Sequence, residues 1–145
     1  MKKLIIAILF LVSLSPLLAE NFNPKSFHAD INRISPMGFP SDFVDGFYME
    51  LANDSVSLYL PYIGTLDMAP IGHDSDLNFE KQPVSNYKTE KGKKGATIVK
   101  FSVSRGIVEF KFQIKAYDNN SIDIDLIRSD GQPCGYYGEW NAIEK

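Results

Sequence analysis

The sequence is poor in the side chains that most often carry chemistry: one cysteine and two histidines stand among its 145 residues. With Cys134 alone, an intramolecular disulfide is excluded, and so is any zinc site built on paired cysteines. A nucleophilic Cys134 would need a base beside it, and His28 and His73 both lie far away in sequence. The thiol therefore reads as a small buried hydrophobe. Positive charge is also in short supply, with 15 Lys and Arg against 18 Asp and Glu and a net charge of −3. The densest basic run, Lys88 to Lys94, ends in T-E-K-G-K-K and reads as the solvated tip of a hairpin. Nucleic acid and an anionic membrane are thus argued against as main partners. There is no G-x-S-x-G, no H-E-x-x-H and no phosphate loop. No catalytic residue, metal ligand or cofactor is nominated, and the chain reads as a non-enzyme. Helical stripes of period 3.6 and repeats of solenoid length are missing as well.

What is present begins with a targeting pattern. Lys2 and Lys3 precede an apolar run from Leu4 to Leu14, Pro16 breaks it, and Leu17-Leu18-Ala19 offers a small residue at the cut. Residues 1–19 read as a signal peptide, with an uncleaved anchor as the alternative. The run is short for a transmembrane span, and nothing later in the chain is longer. The expected destination is the periplasm or the outside, without a lipoprotein cysteine at the junction. Residues 20–25, polar and carrying Pro24, read as a flexible lead-in, and 26–145 as a single all-β domain.

Alternation of period two dominates the remainder. Phe27, Ala29 and Ile31 share one face of a first strand. A turn-rich connector follows from Ser35 to Asp42, and Asp45-Gly46 marks another turn. Phe47, Met49 and Leu51 alternate up to Asn53-Asp54, and Val56, Leu58 and Leu60 return as the second arm of a hairpin. Short strands then run from Leu77 to Glu80 and from Val84 to Glu90, broken at Pro83. A meander closes the chain: Thr97, Val99, Phe101 and Val103; then Val108, Phe110, Phe112, Ile114 and Ala116; then Ile122, Ile124 and Leu126; then a strand between Gln132 and Trp140. If Tyr117 pairs with Ser121 across Asp118-Asn119-Asn120, Lys115 faces Asp123. The class is an antiparallel all-β meander of about eight or nine strands. One apolar face per strand fits a sandwich and a small barrel equally.

The candidate contact residues lie in and around a long loop. Pro61 ends the strand before it, Gly64, Pro70 and Gly72 mark its course, and it carries Tyr62, Ile63, Leu66, Met68 and Ile71. So many apolar side chains in a loop imply either a lid over an end of the fold or a contact surface. Tyr59, Tyr62, Tyr136, Tyr137 and Trp140 form an aromatic set that serves either strand packing or the binding of a sugar, peptide or partner domain. Tyr59, Tyr62, Ile63, Leu66, Tyr136 and Tyr137 are the binding candidates. His73-Asp74-Ser75-Asp76-Leu77-Asn78 places oxygen ligands at alternate positions, but it lacks the glycine and closing glutamate of a calcium loop and reads as a solvated acidic turn.

Several of these stretches together resemble a known family. They are Asn32-Arg33 with Pro36-Met37, Tyr59-Leu60-Pro61-Tyr62-Ile63-Gly64, Ala69-Pro70, Leu77-Asn78-Phe79, Asn86-Tyr87, Lys93-Lys94-Gly95 and Tyr136-Tyr137-Gly138. Taken in that order over residues 26–141, they are similar to the small exported proteins of Gram-negative anaerobes grouped as domain of unknown function 4251. The resemblance implies an exported single domain with no assigned activity and no established catalytic residues. Ile63, Thr65, Asp67 and Ile71 depart from the aromatic, arginine and tyrosine residues common in that family's loop.

The functional expectation is an exported, non-enzymatic envelope module that binds a protein or glycan. A barrel carrying a small apolar ligand, with the loop as its lid, is the alternative.

Overall fold

The structure, a computed structural model, describes residues 21–62 and 76–143. The signal-peptide pattern, Ile63, Leu66, the rest of the apolar loop and most of the acidic turn at His73 lie outside the described residues.

Among the described residues nine strands follow one another: β1 (Ser26–Pro36), β2 (Asp42–Ala52), β3 (Ser55–Leu60), β4 (Leu77–Pro83), β5 (Ser85–Lys91), β6 (Thr97–Arg105), β7 (Val108–Ala116), β8 (Ser121–Arg128) and β9 (Cys134–Ala142), with a 3₁₀ turn at Lys93–Gly95. They form one antiparallel sheet in the order β4-β3-β2-β1-β9-β8-β7-β6-β5. Each strand therefore pairs with its sequence neighbours except at β4/β5, and the two ends of the meander meet where β1 pairs with β9. The result is a nearly closed up-and-down barrel, not a sandwich.

Parity explains the odd strand count. An odd ring of mutually antiparallel strands cannot close, because the last would run parallel to the first. Only Val84 separates β4 from β5, so the chain runs on without reversing and the two act as one bent stave. Nine strands then count as eight, a number whose interior side chains can fill. Pro83 sets the bend, having no N–H to give the ladder. Val84 N–H still reaches the Asp54 carbonyl at 2.9 Å. Across the remaining seam, Phe79 meets Phe110 edge to face at 5.1 Å and Arg105 Nη1 reaches the Asn78 carbonyl at 3.5 Å.

The apolar alternation points into this barrel as the pattern requires. Phe27, Met49, Leu51, Leu58, Phe79, Phe101, Phe112, Ile114, Ile124, Tyr136 and Trp140 are all buried in one cluster. Asn53, at a φ of 58°, makes the β2–β3 turn, and Asn120, at 68°, makes the β7–β8 turn. Lys115 does stand opposite Asp123. One end is stoppered by Trp140, whose Nε1–H donates to the Tyr117 carbonyl at 2.8 Å and against which Phe22 packs at 5.1 Å. Of residues 20–25, read from sequence as a flexible lead-in, 21–25 are described and two of them hydrogen-bond to the barrel. Tyr87 donates to the Pro24 carbonyl at 2.7 Å, and Asn53 N–H donates to the Lys25 carbonyl at 2.8 Å.

Two places differ from the simple alternation. Asp45-Gly46 is not a turn; it lies inside β2, where Gly46 at a φ of 83° lets extra residues bulge out of the ladder. Opposite that bulge the register of β1 slips between Ile31 and Arg33 against both neighbours. The inward series accordingly shifts from Phe27, Ala29 and Ile31 to Ile34 and Pro36. Gly138 of β9 faces Ile31 at the slip, and a Cβ there would run into the carbonyl of Asp30. Gly135, three residues earlier, has only ordinary contact distances around its Cβ position. Gly138→Ala is expected to lose about 2–3 kcal/mol in urea unfolding, and Gly135→Ala less than about 1 kcal/mol. Equal losses at the two positions would remove the close approach as the cause.

Candidate functional site

The sequence candidates divide between the barrel's interior and its outer wall. Alternation alone separates Tyr136, fully buried, from Tyr137, which points outward beneath the Arg33 guanidinium 4.3 Å from its ring centre. Tyr59 is outward on β3, its ring 4.9 Å from Phe47, while Tyr62 turns in as soon as Pro61 has ended that strand. The four candidates among the described residues thus form no single face. Tyr62 and Tyr136 come together inside, and Tyr59 and Tyr137 sit apart outside.

The inner pair belongs to the end of the barrel opposite Trp140. There β8 continues its inward series Ile122, Ile124, Leu126 with Arg128, which is 9% exposed. Its guanidinium lies between two rings, 4.5 Å from the centre of Tyr62 and 5.0 Å from that of Phe110. Nε and Nη2 grip the Asp130 carboxylate at 2.5 and 2.9 Å, a bidentate pair. The Tyr62 hydroxyl donates to the Gln132 carbonyl at 2.6 Å. Burial raises the Tyr62 and Tyr136 phenols above their ordinary value, so both stay protonated. The hydrogen bond from Arg128 holds the Asp130 carboxyl below its ordinary value. Among the described residues, Arg128 Nη1 finds no hydrogen-bond partner, while the Tyr136 hydroxyl has the Cys134 thiol as its polar neighbour. Arg128 was missed in the sequence, although its place two residues after Leu126 is an inward one.

The outer wall of β1–β4 carries a different constellation. The β1–β2 register puts His28 opposite Glu50, and Asp30 follows two residues on along the same face. His28 Nδ1 meets Glu50 Oε2 at 2.9 Å and Nε2 meets Asp30 Oδ1 at 3.1 Å. Burial opposes charging the imidazole, but the two carboxylates outweigh it and raise its pKa above 6.5. Tyr48 stacks on the ring, 5.8 Å away and within 9° of parallel. A groove of about 460 Å³ runs beside them, lined also by Ser57, Asn78 and Lys81.

That groove owes its shape to a bulge. Three residues of β3, Val56 to Leu58, face four of β4, Gln82 back to Phe79. Lys81 takes up the excess at a φ of 47°, a region costly for a side-chain-bearing residue, and the Ser57 hydroxyl accepts its N–H at 3.0 Å. A second groove of about 360 Å³, past Gly46, lies on the other side of His28 and Tyr48. Among the described sequence candidates, Tyr59, opposite Tyr48 across the β2–β3 ladder, is the one beside this site. No sequence signal joined His28 to Glu50, because their meeting depends on strand register.

Comparison with known proteins places this geometry in context. A family model described as Domain of unknown function (DUF4251) matches residues 18–140. Among solved structures, the chain is similar to a DUF4251 family protein from Bacteroides eggerthii DSM 20697. The TM-score is 0.63 at 14% identity, over 82% of this chain and 80% of that one, a likeness of fold. No curated protein matches the chain.

Two outcomes test these two clusters. At the barrel end, Asp130→Asn leaves a buried guanidinium without its counter-charge and is expected to cost about 2–4 kcal/mol. Tyr136→Phe removes a buried hydroxyl whose polar neighbour is the weakly bonding Cys134 thiol and is expected to change stability by less than about 1 kcal/mol. Because the folded Asp130 pKa is depressed, its contribution is complete above the unfolded value of 3.8 and disappears as pH falls through the folded one. Denaturation curves in acid should therefore be flatter for Asp130→Asn than for the parent. On the outer wall the sign reverses: the raised His28 pKa gives stability that is full below 6.5 and lost as pH rises through the folded value. His28→Asn should abolish that loss, and an unchanged pH profile would mean that the imidazole does not charge between its two carboxylates.

Proposed function

Because the chain belongs to the DUF4251 family, we propose that it is an exported, non-enzymatic binding module of the cell envelope, and that it takes a hydroxyl-rich ligand such as a glycan on the outer wall of β1–β4. The observation that carries this reading is the strained bulge at Lys81, which opens a groove beside an aromatic platform and hydrogen-bonding side chains. Tyr48 supplies the ring, Glu50, Ser57 and Asn78 supply acceptors and donors, and Lys81 supplies a charge at the rim. The non-enzymatic part rests on His28, whose two ring nitrogens are both engaged by carboxylates, leaving neither for a substrate proton. Export rests on the Lys2-Lys3 and Leu4–Leu14 pattern.

The carrier alternative is compatible with a barrel as such. Its lumen, however, is occupied by Phe27, Phe79, Phe101, Phe112, Tyr136 and Trp140, which supports a site on the wall over one inside.

Isothermal titration of the mature chain against a panel of neutral oligosaccharides tests the wall site. Tyr48→Ala is expected to weaken binding at least ten-fold, with a melting temperature close to the parent's. Binding unchanged by Tyr48→Ala, or hydrolysis of a panel member that His28→Asn abolishes, would overturn the reading. Mass spectrometry of the exported protein is expected to find its N-terminus at Glu20.

A further inference from the structure

The other half of the wall, β5–β8, carries a site of opposite character. On a chain of net charge −3, three lysines gather on its outer face. Register places Lys88 of β5 directly opposite Lys100 of β6, and Lys111 of β7 opposite Ser102, two residues along β6 from Lys100. Like charges face to face across a ladder destabilise a sheet, and Glu90 answers only one of them, meeting Lys100 Nζ at 3.1 Å. The sequence reading placed Lys88 at the start of a solvated hairpin tip, but the tip proper begins only after Lys91, where β5 ends.

A groove of about 290 Å³ runs among these lysines, and its far side on β8 is made by Ile127 and the Asp125 carboxylate. Ile127 of β8 is 56% exposed there. The groove exists because β5 bulges between Ser85 and Lys88, with Asn86 at a φ of 54°. Past Gln113, Asp125 and Ile127 it adjoins a second groove of about 450 Å³ that includes Pro133 and Met37, the latter 58% exposed. A cationic rim thus opens, past Gln113 and the Asp125 carboxylate, onto the exposed aliphatic side chains of Ile127 and Met37. An anionic head with an aliphatic chain is complementary to both parts, whereas a sugar acid would use only the rim.

We propose that the groove across β5–β8 binds an amphiphilic carboxylate, its head on Lys88, Lys100 and Lys111 and its chain along Ile127 toward Met37 and Pro133. This site is separate from the one proposed around His28. It draws on the opposite half of the sheet order.

The test is titration of the mature chain with decanoate below its micelle concentration, followed by amide shifts and calorimetry. Saturable binding is expected, with shifts on β5–β8. Decanol and decyltrimethylammonium should bind at least ten-fold more weakly. Hexanoate should lose up to about four-fold per methylene removed, as burial of the chain requires. The double variant Lys100→Gln/Lys111→Gln should weaken decanoate at least ten-fold and leave decanol unchanged, and Ile127→Asn should flatten the dependence on chain length. Tyr48→Ala should change none of this, so failure of the glycan reading and of this one are told apart. Without ligand, Lys88→Gln should melt at or above the parent temperature, as relief of repulsion predicts. Four results would each overturn the proposal: no saturable binding, decanoate affinity indifferent to the lysine substitutions, glucuronate binding as tightly as decanoate, or shifts confined to the barrel interior around Trp140.

Discussion

Pairing of the first strand with the last is the constraint on which the rest of this structure depends. Without the β1–β9 ladder the meander would be two open sheets, each presenting a long unpaired edge. The pairing has no freedom in register, because both faces of the wall are specified: apolar side chains in, polar ones out. It must also accommodate the slip at Asn32, where β1 changes which residues face in. Gly138 makes that possible, since the backbone of Asp30 occupies the space a side chain would need. These contacts join the two ends of the described chain. Closing them carries a larger loop-closure entropy than local hairpins such as β2–β3 and β7–β8 do.

Closure leaves two barrel ends, and the chain stoppers them with different chemistry. At one, Trp140 and Phe22 do the work with apolar surface and a single indole hydrogen bond. At the other, a guanidinium enters an apolar environment, lies between the rings of Tyr62 and Phe110, and brings its counter-charge with it from two residues away. A buried pair of this kind adds little net stability over an apolar substitute, but removing one partner is severe. It holds Tyr62 against the end of the barrel.

The outer wall is where the backbone departs from its easiest conformations. Lys81 and Asn86 both hold a left-handed φ, one on each side of the bend at Val84, and each lies at a groove. Bulges re-aim side chains and increase twist. Here they flank the place where one stave changes partner from β3 to β6. One bend thus opens two surfaces, a polar one toward β1–β3 and a cationic one toward β6–β8, while the packed lumen between them takes no part.

Strand content, facing and most turns were readable from the sequence alone, because a β-strand imposes a period of two on its own residues. Val99, Phe101 and Val103 could point only one way together, Asn53 and Asn120 marked tight turns, and Lys115 opposite Asp123 followed from counting outward from a three-residue loop. Tyr136 and Tyr137 both stand among the sequence's binding candidates, although adjacent strand residues cannot share a face and the structure buries only the first. What alternation leaves open is which strand lies beside which, and with what offset. Only the tertiary structure decided that β1 closes on β9, that β4 and β5 form one stave, and that Asp45-Gly46 bulges instead of turning. The same contacts decided that His28 meets Glu50 and that Lys88 faces Lys100. These are contacts between residues far apart in the chain, selected by burial of the whole core, and no local pattern encodes them.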